Sequence, residues 1–152
     1  MIYYVLKGAP AGVPVIKPQR GVWTMTRKED MAALRADTQV HYNCAQAVVV
    51  PFAADMGITR EQAYDMALNF GGGMGCGATC GALVGALTAL GGLGQPQEKR
   101  LELIRKFRTE NGAIDCAALL KTAFERGEEK KCHCDRLVCQ CVEFVCGETG
   151  LE

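Results

Sequence analysis

Residues 70–94 carry no charged side chain, and ten of them are glycine. An uncharged stretch of that length belongs either in a bilayer or at the centre of a protein. Its Leu, Val and Phe content is too thin for favourable insertion, which predicts a buried central helix rather than a membrane span. The helix is expected over 78–90 and is ended by Gly91, Gly92 and Gly94. Gly77, Gly81 and Gly85 recur every four residues, so they share one face, with Ala78, Ala82, Ala86 and Ala89 nearby. Each interior glycine costs about 1 kcal/mol relative to alanine, so a helix keeps three only where something approaches that face closely. Tight helix packing is the plainer explanation; a cofactor seated on the glycines is the other.

Charge elsewhere follows the same division. Residues 39–94 hold only Asp55, Arg60, Glu61 and Asp65, whereas 95–131 hold sixteen charges. The first stretch is read as the buried heart and the later helices as its wrapping. Over the whole chain 17 Lys+Arg balance 17 Asp+Glu, which leaves little room for the basic stripe of a nucleic-acid binder. A chain of 152 residues suits one core.

Residues 1–25 are read as an extended Pro/Gly-rich arm, because Pro10, Pro14 and Pro18 forbid a helix there. Residues 26–152 form the helical domain. Thr26-x-x-Glu29 and Thr59-x-x-Gln62 are capping boxes. The first opens a helix to about residue 38 with Met31 and Leu34 inward; the second places Ala63, Met66, Ala67 and Phe70 on one side. Asn43 caps a helix over 44–56, kinked at Pro51. Pro96 fits the first turn of a helix to residue 111, with Leu101, Ile104 and Phe107 facing the core. Asp115 caps a helix over 116–126, and a last helix over 134–145 lines up Leu137, Val138, Cys141 and Val145. The expected fold is all-α: a compact multi-helix bundle around a central Gly/Ala-rich helix, with a short extended N-terminal arm.

Nine cysteines far exceed what such a core needs, and an odd number cannot pair completely within one chain. The N-terminus lacks the basic start and apolar run of a secretory signal, which predicts a cytoplasmic, reducing location where thiols serve metals or redox chemistry. Four cysteines share a placement. Cys44 follows Asn43, Cys116 follows Asp115, Cys80 comes just after the glycine loop 71–77, and Cys134 begins the last helix. Helix N-termini carry unpaired N–H groups and the positive end of the dipole, which favours thiolate. The loop 71–77 fits no nucleotide motif, but its N–H groups suit a nest for negative charge. Four helix starts meeting at one thiolate site would serve a metal cluster or a reactive dithiol; the bland alternative is small packing residues.

The other cysteines are less patterned. Cys76 lies four before Cys80 and shares its face if the helix starts early. Cys132-His133-Cys134 and Cys139-Gln140-Cys141 are Cys-x-Cys pairs that match neither a ferredoxin nor a zinc spacing. His133 is read as an exposed residue beside the thiols. His41 could act as a base for Cys44 only if one helix ran through both, and Tyr42-Asn43 interrupts that.

Asn43-Cys44-Ala45-Gln46-Ala47-Val48, Gly71-Gly72-Gly73-Met74-Gly75, Cys80-Gly81-Ala82-Leu83-Val84-Gly85, Asp115-Cys116 and Cys134-Asp135-Arg136-Leu137-Val138 follow one another in an order that resembles the C_GCAxxG_C_C family of redox-active proteins, over about residues 27–146. The resemblance implies that Cys44, Cys80, Cys116 and Cys134 are the family cysteines and that the chemistry is redox or iron–sulfur. The arm and Cys76, Cys132, Cys139, Cys141 and Cys146 fall outside the pattern.

The expected function is electron transfer through an iron–sulfur cluster held mainly by Cys44, Cys80, Cys116 and Cys134. Cys76 and Cys132 are further candidate metal ligands, and Gly73, Gly75, Gly77 and Gly81 would shape the cradle. Four thiolates suffice for a two-iron cluster. One alternative is a thiol–disulfide oxidoreductase attacking through Cys44, with Cys80 or Cys116 resolving. Another is a non-catalytic zinc or thiophilic-metal module at 132–146. The expected partners are a redox partner protein and, through the glycine face and the arm, a second copy in a homodimer, with neither nucleic acid nor membrane.

Overall fold

The computed structural model describes residues 25–152, so the expected N-terminal arm lies outside the described residues. Seven α-helices follow one another: α1 Arg27–Ala36, α2 Cys44–Val49, α3 Arg60–Ala67, α4 Gly81–Gly92, α5 Gln97–Asn111, α6 Cys116–Glu125 and α7 Lys130–Thr149. Among the described residues there is no strand, only an isolated bridge between Thr79 and Asp115. The fold is all-α, as the periodicity indicates.

The helices begin where the side chains can satisfy the first amides. Thr26, Asn43 and Thr59 each close a complete capping box, with Glu29, Gln46 and Gln62 reaching back. Pro51 ends α2 rather than kinking it. The α-helix stops at Val49, a 3₁₀ turn spans Val50–Phe52, and the chain turns at Gly57 with φ +73°.

α4 is the centre and packs chiefly on α2 and α7. Ala82, Leu83, Ala86 and Ala89 have no exposure at all. The glycine face is filled from within the chain. A Cβ on Gly85 would sit 2.8 Å from the Ala45 carbonyl oxygen and 3.0 Å from Val48 Cβ, and one on Gly81 would sit 2.8 Å from the Phe70 carbonyl oxygen. Backbone approach therefore explains Gly81 and Gly85, and that face is not free for a second copy. Gly77 is not on it: α4 begins at Gly81, with Cys80 as N-cap, because the preceding glycine segment curls with positive φ instead of entering the helix.

α2 is buried from Ala45 to Val49, including Gln46. That polar side chain is tolerated because its amide donates to the Tyr64 carbonyl and its oxygen accepts from the Asn43 N–H, at 3.1 and 2.9 Å. Met31 and Leu34 of α1, and Leu137, Val138, Cys141 and Val145 of α7, face the core as expected. Three expectations shift. On α5 the core pair is Leu103 with Phe107, at i,i+4 spacing; Leu101, about 200° round from Leu103, is 45% exposed. On α3 only the narrow Ala63–Ala67 strip is buried and Met66 faces out. α7 starts at Lys130 rather than residue 134: Glu129 caps it, and residues 130–133 form its first turn. No described helix is long and apolar enough to cross a membrane.

Candidate functional site

Three local devices bring the cysteines together. The Asn43 side chain accepts from the Ala45 and Gln46 amides, both at 2.9 Å, and donates to the Leu68 and Ala67 carbonyls at 2.9 and 3.3 Å. Cys44 is thereby fixed as the first residue of α2. The Cys80 N–H donates to the Ile114 carbonyl at 2.8 Å and the Cys116 N–H donates to the Ala78 carbonyl at 2.7 Å, which locks the starts of α4 and α6 side by side. Gly73, at φ +63°, lets the loop lie on Cys116: a Cβ there would meet the Ala78 oxygen at 2.5 Å and Cys116 Cβ at 2.8 Å. Cys134 lies on α7, in its second turn, where the helix crosses this corner.

Cys44, Cys80, Cys116 and Cys134 line one cavity of about 500 Å³. Leucines 34, 119, 120 and 137 supply apolar wall, and Arg35, Lys130 and Lys131 supply positive charge. The first residues of α2, α4, α6 and α7 all border it, so four helix dipoles place their positive ends around the thiols.

The four thiols are not equivalent. The Cys134 thiol, within hydrogen-bonding reach, holds Cys44 down to about 7, helped by the Arg35 charge and opposed by burial. The same contact, together with burial, drives Cys134 strongly upward, so the pair reads as one thiolate and one thiol. Burial pushes Cys80 up to about 11 and raises Cys116. All nine cysteines are free thiols.

Arg35 joins the two halves of the pair. Its Nε donates to Asp135 at 2.6 Å and its guanidinium NH1 donates to the Tyr42 carbonyl at 2.7 Å. It thus ties the segment just before Cys44 to the residue just after Cys134. No sequence motif marks this role; it follows only from the packing of α1 on α7.

The other candidates fall elsewhere. Cys76 is exposed, with its thiol 3.4 Å from the Gly73 carbonyl, and does not line the cavity; since α4 starts at Gly81, Cys76 shares no helical face with Cys80. Cys132 is exposed and its thiol donates to Glu129 at 3.0 Å. Residues two apart on one continuous helix project about 200° from each other, so each Cys-x-Cys pair is split between faces of α7. Cys141 points into the core, and Cys139 and Cys146 are half-buried. Among the described residues no three His, Cys, Asp or Glu side chains are grouped so as to hold a metal ion. Gly81 lines the cavity, Gly73 supports Cys116 from behind, and Gly75 and Gly77 do not reach it. His41 borders the cavity but is exposed and precedes α2 rather than sharing its helix with Cys44. His133, read as exposed, is instead 4% exposed, with Nδ1 3.0 Å from Glu128 and 3.1 Å from Arg136.

The family model described as "Putative redox-active protein (C_GCAxxG_C_C)" matches residues 42–147. The chain belongs to the C_GCAxxG_C_C family. The matched span contains all nine cysteines, whereas Leu34, Arg35, Asp37 and His41 of the cavity wall precede it. No curated protein matches the chain, and no solved structure does. As a cysteine-rich, all-α member of the C_GCAxxG_C_C family, the protein carries the redox character in the family's description.

Proposed function

We propose that the redox-active group is the Cys44–Cys134 dithiol, which releases two electrons by closing to a disulfide. The observation that carries this reading is that Cys44 and Cys134 open into one cavity on two segments that Arg35 ties together, the Tyr42 carbonyl beside Cys44 and Asp135 beside Cys134. Cys44, at a helix start and beside a thiol donor and a guanidinium, is the attacking thiolate. Cys134, held as a thiol, is the resolving group in place of the Cys80 or Cys116 that the sequence suggested. Cys80 and Cys116 line the same cavity, and burial keeps both protonated. Mild oxidation of the reduced protein is expected to remove two thiols per chain reversibly. Cys44→Ser and Cys134→Ser each abolish that loss, while Cys139→Ser leaves it intact. Retention of the loss in Cys44→Ser would overturn the proposal.

A second reading rests on a separate observation, that four sulfurs share one cavity. The donor chemistry fits an iron–sulfur cluster, but among the described residues no three donors are drawn together for a metal ion, so the dithiol is better supported. A cluster would be held by Cys44, Cys80, Cys116 and Cys134 and would supply one-electron transfer. Iron and sulfide in protein purified without oxygen would favour it over the dithiol.

A further inference from the structure

Resting on the dithiol reading, we propose that the cavity takes small anionic disulfides, with the Lys130 ammonium as the recognition group for their negative charge.

Shape gives the size of the substrate. A concavity of about 500 Å³ lies within the roughly 300–1,000 Å³ of small-molecule sites. The sulfurs are set into it, with Cys80 only 5% exposed and Cys44 and Cys134 half-buried. A low-molecular-weight disulfide can lower one sulfur to Cys44 along the leucine wall.

Charge gives the class. Arg35, Lys130 and Lys131 face Asp37, Glu129 and the neighbouring Asp135, so net charge does not decide; the freedom of each group does. Arg35 and Lys131 both contact Asp135, each at 2.6 Å. The Asp37 carboxylate accepts from the Gln39 and Val40 amides at 2.7 and 3.0 Å. Glu129 accepts from the Lys131 amide and from the Cys132 thiol. Lys130 alone among these cations has no carboxylate partner among the described residues. It is exposed where it lines the cavity, and its charge acts on the Cys116 thiol that lines the same cavity. The start of α4, which no carboxylate caps, adds positive partial charge of roughly half a unit at the cavity.

The chemistry balances with the disulfide as oxidant. The Cys44 thiolate attacks one substrate sulfur, the substrate S–S bond breaks, and the released thiolate takes up a proton. Cys134 then loses its proton and attacks the Cys44 sulfur, expelling the second substrate thiolate. One RSSR becomes two RSH, and two protein thiols become the Cys44–Cys134 disulfide, with two electrons passing to the substrate.

The test uses the reduced full-length protein in single turnovers at pH 7 and low salt. The oxidants are dithiodiglycolate (anionic), 2-hydroxyethyl disulfide (neutral) and cystamine (cationic). Each rate is divided by that of free 2-mercaptoethanol with the same disulfide, which removes intrinsic reactivity. The normalised anion-to-cation ratio is expected to be about tenfold or more and to shrink with added salt. Lys130→Ala lowers the ratio, and Lys130→Glu lowers it further. The exposed Lys121→Glu, on α6 and away from the cavity, controls for overall charge and leaves it unchanged. Equal normalised rates, or a ratio that Lys130→Glu does not alter, would overturn the inference while leaving the dithiol in place. Failure of every disulfide to form the Cys44–Cys134 bond would overturn both.

Discussion

Replacing Cys134 with alanine removes the thiol lying against Cys44, and the loss is readable in how Cys44 reacts as pH changes. With Cys134 and the Arg35 charge present, Cys44 is held down to about 7, against an ordinary 9.0. At pH 6 a thiol at about 7 is roughly one-tenth thiolate and one at about 9 roughly one-thousandth, a hundredfold difference in the reactive form. The lower-pKa thiolate is intrinsically a weaker nucleophile, by about eightfold across this interval at a Brønsted coefficient of about 0.45. The native pair should therefore react about tenfold faster than an ordinary thiol at pH 6 and about eightfold slower at pH 10. Cys134→Ala removes the largest of the lowering influences and leaves the Arg35 charge and the backbone N–H in place. It moves the Cys44 midpoint upward, slows alkylation at pH 6 by up to about tenfold, and speeds it above pH 9. Cys134→Ser keeps a hydroxyl donor and falls between. The assay is pulsed iodoacetamide labelling from pH 5 to 10, with the Cys44 peptide quantified by mass spectrometry. A Cys44 midpoint that does not move in Cys134→Ala would refute the reasoning.

Other outcomes follow from single contacts. Arg35→Lys keeps the charge but cannot span both Tyr42 and Asp135, so it slows closure of the Cys44–Cys134 disulfide with only a small rise in the Cys44 midpoint; Arg35→Gln produces both effects, as labelling and thiol titration will show. Asn43→Ala removes four side-chain hydrogen bonds, the cap alone contributing about 1 kcal/mol, and should lower urea-unfolding stability by about 2–3 kcal/mol. Gly85→Ala forces a methyl against the Ala45 carbonyl and should cost about 1–3 kcal/mol. Gly147→Ala, in helix α7 with nothing within 4 Å, should instead raise the melting temperature, with a gain of up to about 1 kcal/mol.

The sequence was most informative where a local signal determines a local structure. Thr26, Asn43 and Thr59 announced their helices because a capping side chain acts within three residues. The α7 core stripe was legible because Leu137, Val138, Cys141 and Val145 repeat at the helical period and nothing larger competes for the face. Burial on α3 and α5 was less so: close packing through Ala63 and Ala67 leaves Met66 outside, and Leu103 with Phe107 displaces Leu101. The glycine segment misled at Gly77, where a coil of positive-φ residues interrupts a pattern that continues in register. At the site, the cysteines could be placed individually near helix starts, but their pairing is tertiary. Whether Cys44 meets Cys80, Cys116 or Cys134 depends on how α7 crosses the start of α2, and Arg35 and Lys130 acquire meaning only from that crossing. His133 was misjudged as well: it lies 4% exposed on α7, with its Nδ1 at hydrogen-bond distance from Glu128 and Arg136.

The most direct test of the account is to oxidise the anaerobically purified protein with one equivalent of oxidant per chain and map its disulfides by peptide mass spectrometry. The account predicts one dominant new linkage, Cys44 to Cys134, with two thiols lost and both restored by a dithiol reductant. Oxidation that leaves both sulfurs as free thiols, or that pairs Cys44 with a cysteine other than Cys134, would contradict it.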